Sequence, residues 1–213
     1  LGPSYIKLGQ FLATRADVIG PDLARDLSML QDRLPPFSMA EARAAVEAAL
    51  GGKLEDHFVE FGPPAAAASI AQVHKAVVID ANGNRRTVAV KILRPGVEKS
   101  FKRDLDSYYF AARLAERLHA PSRRLKPVAV VDTLKRTTEL EMDLRLEAAA
   151  ISEMADNTRD EAGFRVPEVD WKRTSKRVLT LEWIDGTPIA DIAALDAKGF
   201  DKKALGLTVI RSF

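Results

Sequence analysis

Lys91 stands in "VAVKIL", where strand alternation puts Val88, Val90 and Ile92 on one side and Thr87, Ala89 and Lys91 on the other. An amine on a strand can grip phosphates if a backbone loop covers the anion and a carboxylate fixes the amine. The sequence offers candidates for both. Upstream lies "FGPPAAAASIAQVHKA", where Ala65, Ala66, Ala67 and Ala68 run into Ser69 in what reads as a loop between two strands. Downstream, "ELEMDLRLEAAAISEM" brings Glu141, Asp143 and Glu147 up to three alanines, 148–150, that permit close packing. In one continuous helix Asp143 and Glu147 share a face. A third piece, "LTLEWIDGTPI", is an apolar strand ending in Glu182, Trp183 and Ile184, whose backbone groups could meet an adenine edge before the turn at Asp185 and Gly186. Each piece alone also fits a plainer reading: a solvated lysine, a charged helix face with Arg145 as local partner, or any strand before a turn.

The elements that must position these residues follow from periodicity. Residues 3–17 look helical, with Lys7, Gln10 and Thr14 on one face and Ile6 and Phe11 toward a core. Pro21 can open a second helix running to about Asp32, broken by "RLPPF". Ser38 and Glu41 form a capping-box pattern that opens a third helix through Leu50. From His57 the texture changes. "HFVEF", "SIAQVHKAVVI" and "RTVAVKIL" read as strands, the last two joined by a hairpin turn at Asn82-Gly83. Helical pattern fills 96–118 after Pro95, and a basic "PSRRLK" leads to a single long helix from about Val128 to Ala155. Two further strands, "FRVPEV" and "KRVLTLEWI", precede short helices. Antiparallel strands followed by helices predict an α+β fold, not a doubly wound parallel sheet.

Composition narrows the function. The 213 residues carry a net charge of +2, so no single-sign field advertises nucleic acid, and no such partner is expected. Cysteine is absent, which removes disulfides and thiolate chemistry, and His57, His74 and His119 lack the spacing of a metal site. No apolar run reaches the roughly 18 residues of a membrane span. The chain opens with Leu1 inside one helical pattern and closes on "GLTVIRSF" inside another, so it reads as a piece of a longer protein.

Four motifs in order carry a resemblance. "KLGQ", from Lys7 through Gly9 to Gln10, resembles a Lys-x-Gly-Gln signature; "AAAAS" resembles an alanine-rich replacement for a kinase glycine loop; "VAVK" matches a strand lysine; "EMDLRLE" matches a Glu-x-Asp signature followed by a helix glutamate. Together they resemble the UbiB family of atypical, protein-kinase-like proteins of coenzyme Q (ubiquinone) biosynthesis. The resemblance implies a helical extension over 1–52, a kinase-like N-lobe of antiparallel sheet and packed helices over 53–186, and the start of a C-lobe over 187–213. It implies ATP and Mg²⁺ as cofactors, with Lys91 and Glu147 as the phosphate-gripping pair, Ala65–Ser69 as cover, and Glu182 to Ile184 as hinge. Lys7, Gly9 and Gln10 would form a lid with Glu141 and Asp143, Lys7 facing one of those two carboxylates. It further implies ATP-coupled handling of ubiquinone-pathway lipids or contact with that pathway's enzymes. For the full-length protein it implies membrane association at the cytoplasmic face of a bacterial inner membrane. The catalytic aspartate and the metal ligands would lie beyond Phe213, so these residues alone should be inactive. Two other readings stand beside it: a catalytically silent nucleotide-sensing or lipid-binding scaffold, and a small-molecule kinase of the aminoglycoside or choline type. "KLGQ" and the alanines speak against the latter. Alanine disfavours the positive φ that glycine allows and adds a methyl at each position, so this loop should be stiff and poor in phosphate-directed amides. Ser69 could supply a hydroxyl instead.

Overall fold

The computed structural model describes residues 2–29 and 34–212. The helical pattern of residues 3–17 is interrupted: α1 (Pro3–Ala13) stops where the Thr14 hydroxyl donates to the Phe11 carbonyl (2.7 Å), and α2 (Ala16–Ile19) starts afresh. Gly20, at φ +85°, turns the chain into α3 (Pro21–Ser28), with Pro21 in the first turn as expected. The expected continuation toward Asp32 falls outside the described residues. The capping box forms: Ser38 Oγ accepts from Glu41 N (3.2 Å) while Ser38 N donates to Glu41 Oε2 (3.0 Å), opening α4 (Met39–Leu50).

Four strands make one antiparallel sheet in the order β1 (Glu60–Ala67), β2 (Ala71–Ile79), β3 (Arg85–Leu93), β4 (Val178–Glu182). Two strand expectations are corrected here. "HFVEF" is not itself a strand, since His57 closes a short helix, α5 (Leu54–His57), and β1 begins only at Glu60. "FRVPEV" forms no strand either; Pro167 lacks an N–H, and the segment meets β4 through one bridge, Val169–Leu181, flanked by Glu182 N to Glu168 O (2.8 Å) and Asp170 N to Thr180 O (2.9 Å). It thereby covers the β4 edge. The other edge, β1, contains Pro63 and Pro64 and two register irregularities against β2. The β2–β3 turn is the one the sequence announces: the Asp80 carboxylate accepts from the N–H groups of Asn82 (2.8 Å) and Asn84 (2.9 Å), and Gly83 takes φ +83°.

The alternation of β3 builds both faces of the sheet. Val88, Val90 and Ile92 are fully buried against Ala42 and Val46 of α4, and each such side chain contributes roughly 1.5–3 kcal/mol. The other face is covered too. After β3 come α6 (Val97–Leu118), α7 (Pro127–Glu141) and α8 (Leu144–Asn157), and Leu144 and Ala148 of α8 pack with Leu93 and Leu179. The single helix expected over 128–155 is therefore two. Met142 closes α7, Asp143 takes an extended backbone, and Leu144 N leaves the helix ladder to donate to Lys176 O (3.0 Å). A third core joins α6 and α7 through Phe101, Leu105, Tyr108, Val131 and Leu134, and Leu8 and Phe11 of α1 pack onto it. Short α9 (Ile192–Ala197) and α10 (Lys202–Ser212) complete the chain. The result is an α+β fold in which helices precede and flank an antiparallel sheet, the architecture of a kinase N-lobe. Among the described residues no helix is long and apolar enough to cross a membrane.

Candidate functional site

Lys91 projects from near the C-terminal end of β3 toward α8, where Nζ donates to both oxygens of Glu147, at 2.9 and 2.8 Å. Glu147 sits in the first turn of α8, a favourable place for a negative charge, and buried Leu144 and Ala148 fix the turn that carries it. The side chains remain about one-third (Lys91) and two-fifths (Glu147) exposed. A pair so exposed adds about 0.2–1 kcal/mol to stability, so its main effect is to aim the amine rather than to hold the fold.

That amine opens on a cleft of about 550 Å³ lined by Leu34, Ala65, Ala66, Ala67, Ala68, Ala71, Gln72, Val73 and Lys91. The alanines are not an open loop. Ala65, Ala66 and Ala67 extend β1, with Ala66 opposite Val73 and Ala67 opposite Gln72, and the turn is closed by Ala68 N donating to Ala71 O (2.8 Å). Alanine has low strand propensity, but pairing with β2 overrides it. Ser69 at the tip is fully buried, so its hydroxyl is turned from solvent in this conformation.

The three carboxylates of the "ELEMDLRLE" stretch go three ways. Glu147 meets Lys91. Glu141, at the end of α7, pairs with Lys7 of α1 (2.6 Å). Asp143 does not share a helix face with Glu147, because it caps α8: its Oδ1 accepts from Arg145 N (3.2 Å), and both of its oxygens accept from the Arg145 guanidinium (2.9 and 2.6 Å). Those hydrogen bonds hold the Asp143 carboxyl below its ordinary pKa. Lys7 thus faces Glu141 and not Asp143. Gly9 is buried within α1 and Gln10 is half-buried on the same helix.

At the end of β4, the Glu182 carboxylate is taken by Arg165, and its N–H by Glu168 O (2.8 Å). Trp183 N donates to Thr87 O (3.2 Å), and its ring lies under Lys75 Nζ at 4.8 Å. Among the described residues, the Ile184 N–H makes no backbone hydrogen bond, which leaves one donor of this segment open. No group of three or more His, Cys, Asp or Glu among the described residues is arranged to hold a metal ion.

Sequence reasoning missed what surrounds the alanine turn. Arg94, one residue past β3, donates from Nε and Nη2 to Ala68 O (3.2 and 3.1 Å) and from Nη2 to Pro35 O (2.8 Å). Buried Gln72 is bonded to the backbone of Phe37 and to His74. A charged residue at a strand end directly before Pro95, and a glutamine on the core-facing side of β2, were the available signals.

The ABC1 atypical kinase-like domain matches residues 29–213. Similar curated proteins include the "Probable protein kinase UbiB" of Xanthomonas campestris pv. campestris (strain B100), 44% identical over 100% of this chain and 39% of the relative. Its namesake in Marinobacter nauticus is 43% identical over 96% of this chain and 37% of the relative, and that of Xylella fastidiosa (strain M23) 42% over 100% and 38%. The chain thus spans about two fifths of the length of these relatives. With the family pattern matched from residue 29 onward and the relatives aligned through "KLGQ" as well, the chain belongs to the ABC1/UbiB family of atypical kinase-like proteins.

Proposed function

We propose that this chain forms the nucleotide-binding part of an ATP-using atypical kinase or ATPase. The observation that carries the reading is the Lys91–Glu147 pair at the mouth of an alanine-lined cleft, since a lysine held by a carboxylate from a neighbouring helix is what phosphate positioning requires. Lys91 would meet the phosphates, Ala65 to Ser69 would cover them, and Glu182 to Ile184 would face the adenine, with the Ile184 N–H as the open donor. Lys7, Gly9 and Gln10 of α1, anchored at Glu141 beside the Asp143 cap, would form the lid. Mg²⁺ would arrive with the nucleotide and neutralise phosphate charge; no set of ligands for it converges among the described residues, so no step is derived through it. Division into an extension (1–52), an N-lobe (53–186) and the start of a C-lobe (187–213) belongs to the same reading, with the catalytic loops supplied elsewhere in the full-length protein. In that protein the role would be ATP-coupled handling of ubiquinone-pathway lipids at the cytoplasmic face of the inner membrane.

The test is nucleotide affinity of the full-length protein, with and without Mg²⁺, for wild type, Lys91→Ala and Ala68→Gly. Lys91→Ala should weaken ATP binding at least about tenfold, as expected for loss of a charge-assisted phosphate contact. Ala68→Gly should change the ATP-to-ADP preference, or turnover, by relaxing the turn. Wild-type protein that binds no nucleotide would sink the reading and leave a scaffold with a kinase fold.

A further inference from the structure

The alanine turn is fastened from outside its own hairpin. Arg94 reaches across the turn with its forked guanidinium, taking the Ala68 carbonyl with two nitrogens and the Pro35 carbonyl with one, while its backbone N–H holds the Ile70 carbonyl at 2.8 Å. The guanidinium lies 5.6 Å from the Phe37 ring centre, over its face. Gln72, only 1% exposed and paired across the ladder with Ile92, reaches the same segment from within the hairpin. Its Oε1 accepts from Phe37 N (2.9 Å), and its Nε2 donates to Phe37 O (3.3 Å) and to His74 Nε2 (2.7 Å). His74 Nδ1 is 2.8 Å from Gly62 O, and because a carbonyl can only accept, Nδ1 carries the proton and Nε2 is left to receive Gln72. Burial lowers the His74 pKa and favours this neutral form.

One short segment, Pro35 to Phe37, is therefore bonded to the tip of the hairpin through Arg94, and further along it through Gln72, His74 and Gly62. Leu34, the residue directly before the segment, lines the cleft. In chain order it joins α3 to α4.

We propose that Arg94 and Gln72 are positioning residues that strap the alanine turn to Pro35–Phe37, so that this segment sets where the turn sits over the cleft. The consequence for ligand binding rests on the nucleotide reading above; the strap itself does not. Alanine alone cannot aim the turn, because nothing in a methyl side chain reaches a partner. The fork of Arg94 can, and a lysine in its place could not grip two carbonyls with the same geometry.

The experiment is amide hydrogen exchange of full-length protein without nucleotide, read at residues 65–71 and across β2 and β3, for wild type, Arg94→Ala, Arg94→Lys, Phe37→Leu and Lys91→Ala. Fluorescent ATP-analogue affinity is measured on the same preparations. Arg94→Ala should speed exchange at 65–71 about tenfold, the worth of a charge-assisted hydrogen bond, and leave the β2–β3 ladder unchanged. Arg94→Lys should fall between, and Phe37→Leu should speed the same residues by a smaller factor. Nucleotide affinity should drop in step with exchange across the Arg94 series, whereas Lys91→Ala should lose affinity with no change in exchange. Unchanged exchange at 65–71 in folded Arg94→Ala protein overturns the strap. So does a rise spread evenly over the sheet, which would make Arg94 a general stabiliser. If wild type binds no nucleotide, the nucleotide reading fails and the exchange data still decide the strap.

Discussion

Lys91–Glu147 and Lys7–Glu141 are ion pairs of nearly equal length, 2.8 and 2.6 Å, built on unequal foundations. The first joins a central strand to a helix whose Leu144 and Ala148 are fully buried, and the opposite face of that strand is sealed by α4. The second joins α7 to α1, which packs on both α6 and α3. There α1 is held by a Ser4 hydroxyl donating to Asp104, by a T-shaped Tyr5–Tyr108 contact at 5.6 Å, and by Leu8 and Phe11. Separating Lys91 from Glu147 requires moving the core of the sheet; separating Lys7 from Glu141 requires parting α1 from α6 and leaves the sheet in place. One pair is carried by the sheet and a helix packed into its core, the other by a helix packed outside the α6–α7 core.

The contrast can be broken at its stronger side first. Leu144→Ala should cost about 2–5 kcal/mol in urea unfolding, because a fully buried leucine in the first turn of α8 leaves a cavity. A loss below about 1 kcal/mol would mean that α8 is not anchored as described. Acid offers a milder probe of the same side. His74 is held neutral by burial, its pKa lowered from 6.5. The unfolded chain takes up a proton first as pH falls, so this contribution to stability is present above about pH 6.5 and is lost on descending toward the folded pKa. Unfolding midpoints at about pH 7.5 and about pH 5.5 should differ more in wild type than in His74→Gln, and equal differences would contradict the assignment. The weakest expected change lies on α1. Lys7→Ala should shift global stability by less than about 1 kcal/mol, yet limited proteolysis should cut α1 several times faster, roughly as local opening becomes easier. Equal resistance after that change would show that Ser4, Tyr5 and the apolar contacts hold α1 unaided.

The core side of this comparison was legible in the sequence, and the reasons are local. Alternating valines in "VAVKIL", the Asn82-Gly83 turn and the Ser38–Glu41 box each specify structure within a few residues, and β3, its hairpin and α4 form where those signals stand. The residues alone left Glu141, Asp143 and Glu147 as candidate partners for Lys91, and the family resemblance singled out Glu147. What was not legible depends on contacts distant in sequence. Helical periodicity runs unbroken through Asp143, and only the Lys176 carbonyl waiting for Leu144 N reveals the break. The alanines read as loop by composition and became strand because β2 lies alongside. Val166 and Val169 suggested a strand, and Pro167 with a single bridge withheld it. Lys7 had two candidate carboxylates, and the choice of Glu141 was made by the capping role that occupies Asp143.

Pro63 and Pro64 have an effect beyond this chain's own packing. A free sheet edge is a row of donors and acceptors on which any extended polypeptide can be copied. In β1 two successive residues offer no N–H, and the two register irregularities bend what remains, while β4 is already covered by residues 168–170. A strand from a neighbouring molecule therefore finds no continuous ladder at either side of the sheet. Crowded on a ribosome or in a concentrated cell extract, the hairpin that borders the cleft should resist recruitment into intermolecular β-structure.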